Sequence, residues 1–320
     1  PDLWKAQYTV METGKKHPTI KKLKETGAAG DWGWAGINNR YFLAAVFGDG
    51  LKRGELGLAE PKIKDEKAPL LSIPFEASAL APKETKTWKI EFFIGPKDYK
   101  NLQQLGRGLD RAVDFGFFSP LAKLANSALG YFYEVTGNYG YAIVILSIIL
   151  QLLLTPLSAK SYKAMAVMKK IQPEMQSIQK RYKDDPKRLN SEIMELYKRH
   201  GTNPLGGCLP MLLQIPVFFA LFTALRESWN LHGAGFIFWI KDLSSKDPYY
   251  VLPLVMGGIM FLQSHLNPQG GDPSQAAMMK WMPVIFTFMF LTFPSGLVLY
   301  WLINSIWGFA QTMYMKRHEA

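Results

Sequence analysis

The sequence YGYAIVILSIILQLLLTPL, residues 139–157, decides the fold of this chain. The stretch has 19 residues and contains no Asp, Glu, Lys, Arg or His. At about 1.5 Å per residue, a helix of this length reaches about 28 Å, which is close to the hydrocarbon thickness of a bilayer. The sequence therefore predicts a membrane-spanning helix over residues 139–157.

Three further apolar stretches follow in the chain. Residues 204–225 and 249–266 each have the length of one span, whereas residues 278–315 are too long for one. The sequence Pro294-Ser295-Gly296 supplies a turn that divides the last stretch into two spans. We therefore predict a core of five spans, which occupies residues 139–320 together with its loops.

The positive charge of the chain is concentrated beside the first span. The net charge is +11, and residues 158–203 contain 11 Lys and Arg against 5 Asp and Glu. Such a segment indicates either a nucleic-acid surface or a cytoplasmic loop next to a membrane. The spans on both sides favour the loop. We therefore place residues 158–203 in the cytoplasm, close to anionic lipids or ribosomal RNA, and expect no DNA partner.

This basic segment is predicted to be a helical hairpin. Asp185 and Pro186 suit the N-cap and the first position of a second helix. Apolar residues recur at helical spacing on both arms. They are Met165, Met168, Met175, Ile178 and Tyr182 on the first arm and Leu189, Ile193 and Leu196 on the second. Methionines also form adaptable binding surfaces, but packing of one arm on the other is the favoured interpretation.

The first third of the chain has no long apolar run. In one segment, apolar side chains alternate with others as in a half-buried strand. They are Trp88, Ile90, Phe92 and Ile94. We predict a β-sandwich domain over residues 1–104 and amphipathic helices at the membrane interface over residues 105–138. The chain begins at Pro1 without a methionine, so we expect a membrane-anchoring segment before it.

Polar side chains lie within the predicted spans, where an unpaired amide is costly. The set consists of Ser147, Gln151 and Thr155 in the first span, Gln214 in the second, and Tyr300 and Asn304 in the last. Those of the first span are four residues apart and share one helical face. For any one residue, a bond between helices and a place in a water-filled groove are equally plausible. Polar stripes on two spans at once favour the groove.

Motifs of catalysis and cofactor binding are absent from the sequence. The five histidines are scattered, and there is no H-E-x-x-H, G-x-x-x-x-G-K-[ST] or G-x-S-x-G motif. The single cysteine, Cys208, excludes an intrachain disulfide. We therefore predict that the protein is not an enzyme and binds no cofactor or metal. A secondary transporter is the main alternative, although it would need buried ionisable side chains and an inverted repeat.

Two longer blocks carry a family resemblance. NPLGGCLPMLLQIPVFFALF, at residues 203–222, and PVIFTFMFLTFPSGLVLYW, at residues 283–301, resemble the signature of the YidC family of membrane protein insertases. The resemblance covers residues 115–316. Residues 1–100 resemble, more loosely, the C-terminal part of the periplasmic domain found in Gram-negative members.

The resemblance implies an α-helical integral membrane protein of the bacterial inner membrane. Five spans would form a multi-pass core with a cytoplasmic helical hairpin, and a partial β-sandwich domain would lie in the periplasm. Such a protein is an insertase and chaperone that places client transmembrane segments in the bilayer through a hydrophilic groove, closed on the periplasmic side. The implied partners are client membrane proteins, nascent chains, the ribosome and the Sec translocon. No covalent chemistry is needed.

The resemblance also extends the set of residues that would meet a client. Pro210, Met211 and Pro216 in the second span and Trp301 in the last lie where a client's apolar segment would pass into lipid. The family pattern has an arginine at the position of Gln151. Glutamine keeps hydrogen-bonding capacity but loses the permanent charge, and with it the attraction for acidic client tails.

Overall fold

The computed structural model divides the chain into two compact units. Unit 1 is Pro1–Phe115 with Glu227–Asn230, and unit 2 is Gly116–Arg226 with Leu231–Ala320. The structure describes residues 5–10, 18–23, 27–30, 32–48, 54–59, 69–74, 79–202, 209–266 and 273–318. Within these ranges, the description of residues 27–30, 54–55, 209–211 and 273–279 is limited to the backbone.

Unit 1 is built mainly from two antiparallel sheets, so the predicted β-rich region is confirmed. The strands are β1 Lys5–Val10, β2 Thr19–Lys22, β3 Gly27–Gly30, β4 Trp32–Asn38, β5 Phe42–Gly48, β6 Gly54–Ala59, β7 Leu70–Ser72 and β8 Ile90–Pro96. One sheet has the order β2-β1-β4-β5-β8 and the other the order β3-β6-β7. Leu56 of the second sheet packs in one cluster with Trp32, Ala35 and Val46 of the first. The two sheets therefore share a core, as in a sandwich.

The face of β8 differs from its prediction. The strand forms, but Phe92 and Ile94 are 70% and 82% exposed, although we predicted a half-buried face for them. Ile90, at the start of β8, does pack against the shared core. Alternation identifies which side chains share a face of a strand, whereas the packing of another element decides how far along the strand that face is covered. Among the described residues, the covered part of this face of β8 ends near Ile90.

Short helical elements follow the sheets. Helix α1, Tyr99–Leu105, is capped by Asp98, whose carboxylate accepts a hydrogen bond from the Asn101 backbone N–H at 2.8 Å. A 3-10 turn, Leu109–Ala112, precedes helix α2, Ser119–Thr136, which has Pro120 in its first turn. Pro120 suits this position, because the first turn of a helix needs no N–H donor from it.

Unit 2 is helical and contains the predicted spans. Its remaining helices are α3 Tyr139–Arg181, α4 Pro186–Arg199, α5 Leu209–Glu227, α6 Val251–Leu266, α7 Pro273–Phe290 and α8 Ser295–His318. The first span and the first hairpin arm form the single helix α3, which begins at the N-cap Asn138. The predicted division of the last apolar stretch is confirmed, since α7 ends at Phe290 and α8 begins at Ser295.

The five helices α3, α5, α6, α7 and α8 correspond to the five predicted spans. In the described part of the chain, α3 alone is both long and apolar enough to cross a membrane by length and composition, and α6 and residues 280–290 of α7 are shorter apolar helices. Each of the five carries exposed large apolar side chains, among them Leu153, Leu212, Leu254, Phe288 and Ile306. Exposed apolar side chains on every helix are typical of a bundle that faces lipid.

The helical hairpin is confirmed. Asp185 caps α4 by accepting a hydrogen bond from the Arg188 N–H at 3.1 Å, and Pro186 is the first helical residue. Ile171 and Met175 of α3 and Leu196 of α4 form a buried cluster between the arms. Met175 therefore holds the arms together, as the favoured interpretation predicted.

Candidate functional site

A side-chain hydrogen bond joins the first and last predicted spans. The Gln151 Nε2 atom on α3 donates to Asn304 Oδ1 on α8 at 2.8 Å, and both residues are half-buried. Each long helix otherwise presents mostly apolar residues here, so an amide that is not paired would be costly. From the sequence, we placed these two residues together and favoured a groove over an interhelical bond. The structure shows the bond, and the groove stays a prediction.

Thr155 makes a second link between α3 and α8, one turn further along. The Trp307 Nε1 atom donates to Thr155 Oγ1 at 3.1 Å, and Gln311 Nε2 donates to the Thr155 carbonyl oxygen at 3.2 Å. The Thr155 hydroxyl itself donates to the Gln151 carbonyl at 2.7 Å. The seam between α3 and α8 is therefore held by side-chain hydrogen bonds over more than one turn.

Helix α5 joins the same network through Gln214. Its Nε2 atom donates to the Tyr300 hydroxyl on α8 at 2.7 Å. Tyr300 also interacts with the side chain of Asn304, one turn along α8. Gln214, Tyr300, Asn304 and Gln151 thus form a continuous polar network across three helices. We call these four residues the polar network.

The polar network contains one donor that is not fully satisfied. The Nδ2 atom of Asn304 is buried and makes no hydrogen bond of ordinary geometry with a described residue, although the same side chain interacts with Tyr300. A buried amide donor without an acceptor costs about 1–3 kcal/mol. A polar group that entered the network would therefore find a donor that is already desolvated and is not held by a well-formed hydrogen bond.

Aromatic side chains line the α5 side of the network. Phe218 of α5 meets the ring of Trp301 edge-on, with centroids 5.0 Å apart, and Phe286 and Phe290 of α7 pack against the same indole. Pro216, two residues after Gln214, is half-buried. Trp301 is therefore next to the polar network but belongs to an apolar surface.

Two groups of predicted site residues stand apart from this arrangement. Ser147 is fully buried, and its hydroxyl donates to the Ile143 carbonyl of its own helix at 2.6 Å. A serine in a helix readily bonds the preceding turn in this way. Because Ser147 is buried, it does not line an accessible surface in this structure. Pro210 and Met211 lie in α5, and their side chains are outside the described residues.

Sequence reasoning missed Trp307 as a partner of Thr155. The available signal was its position, because Trp307 follows Asn304 by three residues and Tyr300 by seven, on the same face of α8. It also missed Gln263 of α6, which lies so close to Gly308 that a Cβ added at Gly308 would stand 2.7 Å from the Gln263 Nε2 atom.

No cluster of three or more His, Cys, Asp or Glu that could hold a metal ion occurs in the described part of the chain.

Family models match nearly the whole chain. The model described as 60Kd inner membrane protein matches residues 131–320, and the model of the YidC periplasmic domain matches residues 3–125. The chain belongs to the YidC family of inner membrane proteins. The family resemblance of the sequence blocks is thereby confirmed, and so is the predicted fold class, a helical membrane core with an N-terminal β domain.

Proteins named membrane protein insertase YidC are similar to this chain over most of its length. The protein of Geobacter metallireducens is 45% identical over 90% of this chain and 53% of its own length. The protein of Endomicrobium trichonymphae is 42% identical over 98% of this chain and 61% of its own length. The chain thus spans little more than half the length of the curated relatives it matches.

A solved structure supports the fold. The crystal structure of an active YidC insertase with its first transmembrane domain resolved has a TM-score of 0.54 and 20% sequence identity to this chain. The match covers 96% of this chain and 83% of the solved one. None of these similarities supports the alternative of a secondary transporter.

Proposed function

We propose that the protein is a membrane protein insertase and that its polar network receives the polar segment of a client. The observation that carries the proposal is the pair of interhelical bonds, Gln151 to Asn304 and Gln214 to Tyr300, within helices whose other faces are apolar. Neutral amide and hydroxyl groups can exchange one partner for another at small cost, because interhelical bonds of this kind are worth only about 1 kcal/mol.

The energetic cost of moving a polar segment into a bilayer explains why such a network is useful. A polar segment in hydrocarbon loses its hydration, and each unsatisfied backbone group costs several kcal/mol. The side chains of Gln151, Gln214 and Asn304 can replace some of that hydration partway across the bilayer. The Nδ2 donor of Asn304, which makes no well-formed hydrogen bond with a described residue, suits a carbonyl or carboxylate of the client. Because Gln151 stands in place of an arginine, capture relies on hydrogen bonds and not on a fixed charge.

The apolar part of the client would enter the lipid beside α5 and α8. Trp301 and Pro216 lie next to the network on this side, and the neighbouring Leu213 and Phe219 of α5 are exposed. Pro210 and Met211 belong to this route by their place in α5. Burial of an apolar segment in lipid provides the driving force, so insertion needs no covalent chemistry and no cofactor.

The orientation that we propose follows the charge of the chain. The hairpin presents exposed Lys180, Arg181, Lys187 and Arg188 near its tip, and basic loops of multi-pass proteins remain in the cytoplasm. There the hairpin would meet nascent chains, the ribosome and anionic lipid head groups. The β domain would lie in the periplasm of a bacterium, with residues 105–138 at the interface, and the Sec translocon would be a further partner.

Site-directed crosslinking tests the proposal. A photoreactive amino acid is placed at position 214 of the full-length protein, and a ribosome-bound nascent membrane protein is presented to inverted inner-membrane vesicles. We expect crosslinks from position 214 to the nascent chain. The matched control is position 254, because Leu254 is an exposed apolar residue of α6. Equal or weaker crosslinking from position 214 than from position 254 would contradict the proposal.

A further inference from the structure

One carboxylate organises the loop between α5 and α6. We call residues 231–248 the cap loop. Asp242 Oδ1 accepts hydrogen bonds from the Gly233 N–H at 3.0 Å and from the N–H and hydroxyl of Ser244, each at 2.8 Å. Its Oδ2 atom accepts from the Ser245 hydroxyl at 2.7 Å. Partial burial acts to raise the pKa of Asp242, but the hydrogen bonds from Ser245, Ser244 and Gly233 outweigh it and leave the pKa below its ordinary value.

A second carboxylate fixes the cap loop to the start of α6. Asp247 is 2% exposed. Its Oδ1 atom accepts from Trp239 Nε1 and from the Tyr249 N–H, each at 3.0 Å, and its Oδ2 atom accepts from the Leu252 N–H at 2.8 Å. Leu252 lies in the first turn of α6, where a carboxylate satisfies a free N–H and interacts favourably with the helix dipole.

The cap loop also binds the first residues of α8. The N–H and the hydroxyl of Ser295 both donate to the Ser245 carbonyl at 2.7 Å, and the Gly296 N–H donates to the Leu243 carbonyl at 2.9 Å. These bonds satisfy donors that the first turn of a helix leaves free. The carbonyl groups of the cap loop therefore hold α8 at its N-terminus.

The start of α3 is held in the same way. The Asn138 Nδ2 atom donates to the Phe236 carbonyl at 3.2 Å. The Phe236 ring lies so close to Gly140 that an added Cβ would overlap it. Helices α3, α6 and α8 thus all begin at the cap loop, at the end of unit 2 that is opposite the hairpin.

An apolar layer separates the cap loop from the polar network. Leu243 of the loop is 0% exposed. The side chains of Leu243 and Ile143 both lie against Gly296, and the neighbouring residues Leu297 and Val298 of α8 are buried. Water that reached the polar network would meet this apolar layer before the far end of the bundle.

We infer that Asp242 and Asp247 are positioning residues of a permeability seal, in which the cap loop stops protons and ions from crossing through the polar network. The inference rests on the proposed function, because an accessible network is what makes a seal necessary. A polar path that reaches partway across a bilayer concentrates the membrane potential over the part that remains closed. A loop held by charge-assisted bonds at three helix starts resists opening there.

A leak assay on the intact protein tests this inference. Wild-type protein and the Asp242→Asn variant are reconstituted into lipid vesicles that enclose a pH-sensitive dye, and a potassium gradient with valinomycin imposes a membrane potential. We expect the variant to raise the rate of proton entry about tenfold, which is the shift in an opening equilibrium when a charge-assisted bond is weakened. Lys241→Gln, an exposed position of the same loop, is the matched control and should match wild type.

Client insertion into the same vesicles separates a seal from a general structural role. A raised proton leak with insertion retained supports the inference, whereas a folded variant that leaks no more than wild type overturns it. A leak accompanied by an equal loss of insertion also counts against it, since general disruption explains both. The leak assay needs no client, so failure of wild-type protein to insert clients would contradict the proposed function alone.

A second variant guards against misfolding of the first. If Asp242→Asn does not yield monodisperse protein, the double variant Ser244→Ala and Ser245→Ala removes two hydroxyl donors and leaves the carboxylate in place. We expect a smaller rise in proton entry, about threefold, because neutral donors contribute less than the charge. An unchanged rate in this folded variant would equally overturn the inference.

Discussion

The cap loop and the polar network lie on the same helices but are built from different chemistry. In the cap loop, carboxylates accept bonds at 2.7–3.0 Å, and the apolar residues beneath are fully buried. In the polar network, the groups are neutral and half-buried at Gln151 and Asn304, and one buried donor makes no well-formed hydrogen bond with a described residue. From this difference we infer that the first region stays closed and that the second exchanges partners.

The largest loss of stability should come from adding a methyl group at the start of α3. Gly140→Ala places a Cβ into the Phe236 ring, so we expect a loss of about 3 kcal/mol in stability. Gly130→Ala, in α2, is the matched control, because nothing lies within 4 Å of the added Cβ. There alanine should stabilise the helix by up to about 1 kcal/mol. Thermal unfolding in detergent measures both, and effects of the same sign would refute the close packing of the cap loop.

A pair of substitutions should separate stability from function. Asp247→Ala leaves the Trp239 and Leu252 donors unpaired and should destabilise the protein by about 2 kcal/mol. Gln151→Leu removes one interhelical bond and should lower the stability by less than about 1 kcal/mol. Relative to the stability lost, it should nevertheless reduce client insertion more than Asp247→Ala does. Unfolding temperatures and insertion yields measured on the same preparations decide this. A larger loss of stability for Gln151→Leu than for Asp247→Ala would contradict this prediction.

A smaller effect is expected from restoring a charge to the network. Gln151→Arg should be tolerated, because Gln151 is half-buried and a charge there could reach water. We expect insertion of clients with acidic tails to rise by up to about fivefold, which corresponds to an exposed ion pair of about 1 kcal/mol. Clients with neutral tails serve as the control. If both kinds of client respond equally, charge has no part in capture.

Features encoded by neighbouring residues were predictable from the sequence. The division of α7 from α8 depends on the local signal Pro294-Ser295-Gly296, and the start of α4 depends on Asp185 followed by proline. The first span follows from an uninterrupted apolar run. Each of these signals acts within a few residues of chain, so no knowledge of the neighbouring helices was required.

Contacts that depend on which faces of neighbouring helices pack together were not predictable from the sequence. Ser147 and Gln151 share a face of α3, yet the first is buried against its own helix and the second reaches Asn304. Trp307 and Thr155 meet across 152 residues of sequence. The cap loop has no periodic pattern, and its carboxylates resemble ordinary surface acids until their donors are seen. Which faces meet is settled by packing, which a single sequence does not specify.

Thiol labelling tests the central claim most directly. In protein whose single cysteine is removed by Cys208→Ala, Gln151→Cys and Ile143→Cys are compared in inverted inner-membrane vesicles with a membrane-impermeant maleimide. Ile143 lies in the apolar layer next to Leu243 and is buried, whereas Gln151 lies in the polar network. We predict rapid labelling at position 151 and labelling at position 143 only after denaturation. Labelling at position 151 that is no faster than at position 143 would contradict an accessible network beneath a closed cap.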